Sequence, residues 1–317
     1  MHASNENQAH LVCLFVMDVS TTSLRVLREV AERGSFSAAA VELGYTQSGI
    51  SRQVAVLEQE VGQRLFERRT GGVRPTAAGQ ALLRHATVVL DELEAARREL
   101  AGEPAGRVEV RLGAIISAGA VLLPRALRTL RLRAPGLAVT TREGTTPALV
   151  RALRAGSLDL AVVTARPPFR PPDDELPALV VETLAEERLL VAAPATGRFA
   201  GRTSVEVADL VDVDWVASPG TGSEPLLGVW PGLAGRPRVA HSARDWLTKL
   251  QLVAAGCGLT TVPSHLAPVL PDGVQLLAVT DGTDERRRVL VVRPPGDPAS
   301  GVEAVLRALR DVAPSAP

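Results

Sequence analysis

The chain has 317 residues, 46% hydrophobic and 22% charged, with 35 basic side chains balanced by 35 acidic ones; the length suggests about two domains, each able to bury a core. Zero net charge counts against a broadly basic nucleic-acid binder, so any DNA contact must come from local placement of charge. Two cysteines are too few for a disulfide framework or a cysteine-rich zinc site, and no run approaches the ~20 apolar residues of a membrane span, so the reading is a cytoplasmic protein with reduced thiols, no metal, no cofactor and no membrane partner.

Residues 1–17 form an N-terminal extension, polar and then briefly apolar, without the basic start and apolar length of a signal peptide. Residues 18–75 carry the most specific pattern. Ser37 is placed to cap a short helix through Ala38, Ala39, Ala40, Val41 and Leu43, which Gly44 ends after barely two turns. A second helix opens at Thr46 and runs to about residue 60, with Ile50, Val54, Leu57 and Val61 spaced four, three and four apart as a core stripe. Gln47, Ser48, Ser51, Arg52 and Ala55 fall on another arc that has no acid and no bulky apolar group. Gln and Arg make bidentate contacts with adenine and guanine edges, and Ser reads less specifically, so this face suits the major groove. An ordinary solvated helix side is the plain alternative, and the short helix before it shifts the balance toward DNA. Arg64, Arg68, Arg69 and Arg74 surround Thr70-Gly71-Gly72, whose glycines allow a tight hairpin tip. Guanidinium groups there would grip phosphates, a contribution that weakens with salt. Together with Ser35 and Thr46 at the two helix starts, these polar and arginine side chains make the expected DNA-binding set.

The stretch LRVLREVAERGSFSAAAVELGYTQSGISRQVAVLEQEVGQRLFER from Leu24, followed by PTAAG from Pro75, resembles the winged helix-turn-helix of LysR-type transcriptional regulators. One departure is Gly49, where the family carries alanine or proline; glycine inside a helix costs roughly 1 kcal/mol relative to alanine.

Residues 76–100 follow as one long helix in which Leu82, Ala86, Val89, Leu93, Ala96 and Leu100 repeat at four and three, the seam of a coiled coil. Such a seam pairs two subunits or packs on its own domain. The resemblance implies the former: paired linker helices, a dimer or dimer of dimers, and a roughly palindromic double-stranded DNA operator.

Residues 101–106, rich in Gly and Pro, read as a hinge before an effector domain over 107–317. Strands at 108–114, 137–143 and 158–164 alternate with helices at 117–133 and 147–155, which predicts right-handed β-α-β units and a mostly parallel sheet. Four prolines between Arg166 and Pro172 break the pattern. A second α/β lobe follows, with strands near 188–193, 215–217, 238–240 and 259–262 and a helix over 246–255. Strands at 274–279 and 288–292 and a helix at 301–312 are expected to return to the first lobe. LGAIISAGAVLLP from Leu112, REGTTPALVRALRAGSLDLAVV from Arg142 and LVAAGCGLTTVP from Leu252 resemble the family's effector domain. That resemblance implies an α/β fold of two lobes like a periplasmic solute-binding protein and a small-molecule effector between them.

Ligands in open α/β sheets sit at the carboxyl ends of strands, against helix starts. Ser117, Thr145, Thr146 and the run Ser218, Pro219, Gly220, Thr221 all follow strands, and Arg166 offers a charge for a carboxylate. Plain capping is the simple alternative for each hydroxyl. No G-x-S-x-G elbow, P-loop or H-E-x-x-H motif accompanies the serines, histidines and aspartates, so an enzyme is not expected. A secreted solute-binding protein rivals this reading for the C-terminal half alone. The expected whole is a sequence-specific regulator of transcription controlled by a small molecule.

Overall fold

A computed structural model describes residues 18–102, 108–218, 227–233, 235–281 and 285–313. The extension 1–17 with Cys13, most of the expected hinge and residues 219–221 lie outside the described residues. The chain divides into two compact units, Met1–Arg98 and Glu99–Pro317.

In the first unit, α1 (Thr21–Arg33) is capped by Ser20 and ended by Gly34 in the left-handed region. The short helix α2 (Phe36–Leu43) begins one turn-half earlier than the sequence reading placed it. Its cap is Ser35, not Ser37: Ser35 holds extended backbone and its Oγ accepts from the Ala38 N–H at 3.3 Å, while Ser37 sits inside the helix. Thr46 caps α3 (Gln47–Val61) through the Gly49 N–H at 3.1 Å. Ile50, Val54 and Leu57 are buried as the spacing requires, beside Leu27, Val30 and Leu65. The wing is a hairpin of β1 (Phe66–Arg69) and β2 (Gly72–Pro75), in which Arg69 faces Gly72 across a two-residue turn. It docks on the helices because the Val73 N–H donates to the Gly34 carbonyl at 2.8 Å, and Gly72, at φ 152°, leaves room for that approach.

The long helix α4 (Ala77–Leu100) starts under two hydrogen bonds of Thr76, whose hydroxyl donates to the Arg64 carbonyl at 2.7 Å and accepts from the Gly79 N–H at 3.1 Å. Gly79 presses against the wing so closely that a methyl group would collide with the Leu65 carbonyl oxygen and touch Pro75. Gly79→Ala is therefore expected to lower stability by about 1 to 3 kcal/mol despite its better helix propensity. Urea unfolding of the two proteins reads the difference directly, and a midpoint unchanged or raised would mean that the approach relaxes without cost.

The second unit is built on one mixed sheet. β3 (Val108–Ala114) pairs in parallel with β4 (Leu137–Glu143) and β5 (Leu160–Ala165). Between them run the helices α5 (Ile116–Ala120), α6 (Leu122–Arg133) and α7 (Thr146–Arg154). In the main sheet the strands that follow next pair antiparallel. β6 (Val180–Pro194) is 15 residues long and crosses from one lobe to the other. In the second lobe follow β7 (Ser204–Val205), β8 (Asp214–Ala217), β9 (Arg238–Ser242), α8 (Trp246–Ala254), β10 (Thr260–Pro263) and β11 (Val274–Val279). β10 and β11 pair antiparallel with the later half of β6, so the 274–279 segment stays in the second lobe instead of returning to the first. Only β12 (Arg286–Arg293) returns, inserting antiparallel between β5 and the early half of β6, followed by α9 (Ser300–Val312). The strand order is β4-β3-β5-β12-β6-β11-β7, and β8 and β9 form a separate parallel pair. One core gathers Leu112, Leu149, Leu160, Val291, Val305 and Leu309, and a second gathers Val191, Phe199, Leu210, Trp215, Leu259 and Leu277. Each fully buried Leu or Phe contributes about 1.5 to 3 kcal/mol, so the two lobes carry separate hydrophobic cores joined by β6 and β12. No helix among the described residues is long and apolar enough to cross a membrane.

Candidate DNA-reading face and ligand pockets

On α3 the burial of Ile50, Val54 and Leu57 turns Gln47, Ser48, Ser51, Arg52 and Ala55 outward, and all five are exposed. Thr46 is spent on the cap, with the Ser48 hydroxyl 3.2 Å from its own. Ser35 plays the same part for α2, where it is half-buried, so these two residues fix helix starts rather than present free hydroxyls. On the wing Arg64, Arg68 and Arg69 are exposed and Arg74 is half-buried. Arg69 is held by Glu67 at 2.8 Å, which offsets part of its charge. The arginines and the polar arc lie on one compact unit, held together by the Thr76 and Gly34 hydrogen bonds already described.

The long helix divides its apolar residues between two faces. Gly79, Leu83, Ala86 and Leu90 are buried against their own unit. The outer half of the expected seam is bare: Val89 and Leu93 are each 44% exposed and Leu100 90%, with Ala96 exposed between them. Leu82 is half-buried, and Ala86 is shared between both faces. At 100° per residue the buried face and the seam are centred roughly 80° apart, so one helix serves both.

In the second unit the expected effector residues separate into three places. Ser117 does not cap a helix: Ile115 occupies the cap position of α5 and offers no side-chain bond. Instead Ser117 is buried, its Oγ accepting from Arg287 Nη2 at 3.1 Å and its carbonyl lying 2.8 Å from His265 Nε2. Arg287 Nε donates to Glu187 Oε2 at 2.8 Å, and His265 Nδ1 lies 2.8 Å from Glu187 Oε1. Burial pushes the Glu187 carboxyl up, but His265 and Arg287 together outweigh it and hold the group below the ordinary carboxylate range. This quartet joins α5, β6, β12 and the 3-10 turn Ser264–Val269.

Thr145 caps α7 through the Ala148 N–H at 3.4 Å, while the Thr146 hydroxyl accepts from the Thr164 N–H at 3.4 Å. Thr146 and Arg166 line one pocket of about 260 Å3 with Arg170 and the proline segment. Ser218, at the end of β8, meets a residue the sequence reading passed over. Lys249 Nζ donates to Ser218 Oγ at 2.7 Å and lies 4.9 Å from the centre of the Trp246 ring. Lys249 is the chain's single lysine, which was the one available signal, and it is buried. Burial lowers its pKa to about 8, with Asp245 opposing.

That shift has a sign that can be measured. Below about 8 both folded and unfolded chains hold the proton, and the fold bears the whole desolvation penalty; up to the ordinary 10.5 the folded state sheds the proton first and the penalty fades. Lys249→Met is therefore expected to melt above the parent protein at pH 7, by a margin that narrows as pH rises from 8 to 10. Calorimetry across that range decides it, and a margin independent of pH would show that burial does not govern this amine.

Residues 21–80 match the model for bacterial regulatory helix-turn-helix proteins of the lysR family, and residues 101–314 match the LysR substrate binding domain. The chain is 33% identical over 300 residues to the small neutral protease regulatory protein of Streptomyces coelicolor, covering 88% of this chain and 87% of the relative. It is 31% identical to the transcriptional regulator TtuA of Agrobacterium vitis, covering 79% and 82% respectively. Among solved structures, a C206 mutant of Corynebacterium glutamicum OxyR superposes with a TM-score of 0.51 at 27% identity, over 92% of this chain and 91% of that one. The chain belongs to the LysR family of DNA-binding transcriptional regulators, joining the family's helix-turn-helix to its ligand-binding domain.

Proposed function

We propose that this regulator acts in the cytoplasm as a symmetric assembly that reads an inverted-repeat operator with α3, grips the flanking phosphates with the wing, and answers to a small anionic effector. The observation that carries the reading is the exposed, acid-free arc Gln47, Ser48, Ser51 and Arg52 on the same compact unit as four wing arginines. The bare outer seam of α4, from Val89 to Leu100, supports pairing through that helix, which presents two α3 helices to two half-sites. Thr146 and Arg166, sharing one pocket at the start of α7, are the favoured contacts for the effector's anionic group, with Thr145 setting the helix start. Ser218 and Lys249 supply a second polar contact from the other lobe. Ser117 supports the lobe through Arg287 rather than offering a free hydroxyl.

An effector that prefers one arrangement of the subunits must change operator affinity, and operator must change effector affinity by the same factor. Selection of duplexes from a random pool by the full-length protein tests the reading at its base. Enrichment of a two-fold-related sequence is the expected result; a pool that stays random after repeated rounds would sink base reading by α3.

A further inference from the structure

Of the 35 lysine and arginine side chains only Lys249 is a lysine, the one cation of the chain that can shed its proton near neutral pH and act as a nucleophile. It sits on the inner side of α8 with Leu250 and Val253, and it is buried. Its neighbours do not neutralise it. Nζ donates to the Ser218 hydroxyl at 2.7 Å, and no carboxylate among the described residues pairs with it. Asp245, the acid that favours its charge, spends its carboxylate on the Thr248 N–H at 2.8 Å as the cap of α8. The Trp246 ring, one turn earlier on the same helix, has its centre 4.9 Å from Nζ. Ser218 follows the last residue of β8, the carboxyl end of a strand, where open α/β sheets hold their ligands.

An ammonium shut away from water without a carboxylate is costly, and the amine answers by releasing its proton: burial lowers its pKa to about 8. At pH 7 roughly a tenth of the molecules then hold a neutral amine, against roughly one in three thousand for an ordinary lysine. A lysine kept for charge alone is served by a carboxylate opposite it. A hydroxyl that can pass protons and a flat aromatic face are instead the surroundings of a reactive amine.

We propose that Lys249 is a covalent ligand site, at which the amine forms an imine with a small aldehyde that carries an anionic group at its other end. This rests on the reading that Ser218 and Lys249 contact the effector, and it names the effector's reactive group. Neutral Nζ attacks the aldehyde carbon, and the N–C bond forms as the C=O electron pair moves onto oxygen. Ser218 takes a proton from Nζ and gives its own to that oxygen, which leaves a neutral carbinolamine. The nitrogen lone pair then closes the C=N bond as the hydroxyl leaves, and the proton remaining on nitrogen completes a water molecule. Amine and aldehyde thus give imine and water, with no oxidant or reductant. An aldehyde is favoured over a ketone because its carbon brings one substituent, not two, to a buried amine. When protonated, the imine keeps the contact of a cation with the Trp246 face.

Reductive trapping of the full-length protein at pH 7 tests this, with glyoxylate or 4-oxobutanoate, cyanoborohydride, and peptide mass spectrometry to locate the label. With one lysine in the chain, the label falls on Lys249 or on the N-terminal amine, which serves as internal reference. Relative to that reference, Lys249 is expected to react at least about tenfold faster in the folded protein than in urea, where the amine has its ordinary pKa. Burial without reactivity gives the opposite order, so a folded rate equal to or below the unfolded one would overturn the proposal without any variant. In calorimetry both aldehydes are expected to bind at least about tenfold more tightly than glycolate and butanoate, which lack the carbonyl. Lys249→Arg keeps the charge, cannot form the imine, and is expected to lose that margin. Equal binding of aldehydes and carbonyl-free acids to the parent would overturn the imine while leaving Ser218 and Lys249 as a non-covalent contact. Parent-like binding of all four compounds by both Ser218→Ala and Lys249→Arg would overturn the contact as well.

Discussion

Leu93→Glu is expected to dissolve the assembly into monomers at micromolar concentration. Leu93 is 44% exposed at the middle of the bare seam on α4, between Val89 and Ala96. In a symmetric pair of such helices the same position meets its counterpart, so one substitution buries two carboxylates in an apolar contact. Desolvating each ionised carboxylate costs roughly several kcal/mol, which weakens the pair by about a hundredfold or more, or forces the glutamates to take up protons. The inward face of α4 is untouched, because Leu83, Ala86 and Leu90 pack on their own unit. Ala95→Glu, on the opposite side of the helix from the seam, is the matched control and is expected to keep wild-type assembly. Analytical ultracentrifugation of the three proteins distinguishes them. Unaltered assembly of Leu93→Glu would show that α4 packs only within its own chain.

Local chemistry was the readable part of this sequence. Thr46 as a cap, the stripe Ile50, Val54, Leu57 and the turn at Thr70-Gly71 each depend on residues within one or two turns of one another, so spacing alone reveals them. The misplacement of the α2 cap shows the limit of that logic: Ser35 and Ser37 are both good caps, and the choice falls to Ser35 because its backbone is extended (φ −156°, ψ 129°) after the left-handed Gly34. The seam on α4 was legible as a period but not as a division of labour, since the buried and bare faces differ only in what the rest of the unit covers. Sheet direction was least accessible. Alternating strands and helices correctly gave β3, β4 and β5 in parallel, but nothing local says that β12 returns antiparallel between β5 and β6. The same distance hides the ligand-domain chemistry. Ser117 was read as an effector contact, with capping as the alternative, because the sequence does not show its partners His265 and Arg287, respectively 148 and 170 residues away in the chain.

Base reading by α3 makes the second large prediction, and it separates two kinds of arginine. Arg52→Ala and Gln47→Ala are each expected to weaken the selected operator by about 1 to 3 kcal/mol per half-site while hardly changing affinity for unrelated duplexes. Arg68 is exposed on β1 and carries no assigned base contact. Its replacement by alanine is expected to weaken every duplex alike, and to reduce the salt slope by roughly 2 for one lost phosphate contact per subunit. Arg69→Ala acts in the same direction, and it also releases the Glu67 carboxylate that the arginine now holds.

The most direct measurement is the ratio of affinities for selected operator and scrambled duplex, taken at matched salt for the parent protein, Arg52→Ala and Arg68→Ala. The account predicts that this ratio falls by about tenfold or more in Arg52→Ala and is preserved in Arg68→Ala, whose binding to both duplexes weakens together. A ratio that stays at the parent value in Arg52→Ala and in Gln47→Ala would contradict the assignment of α3 as the helix that reads bases.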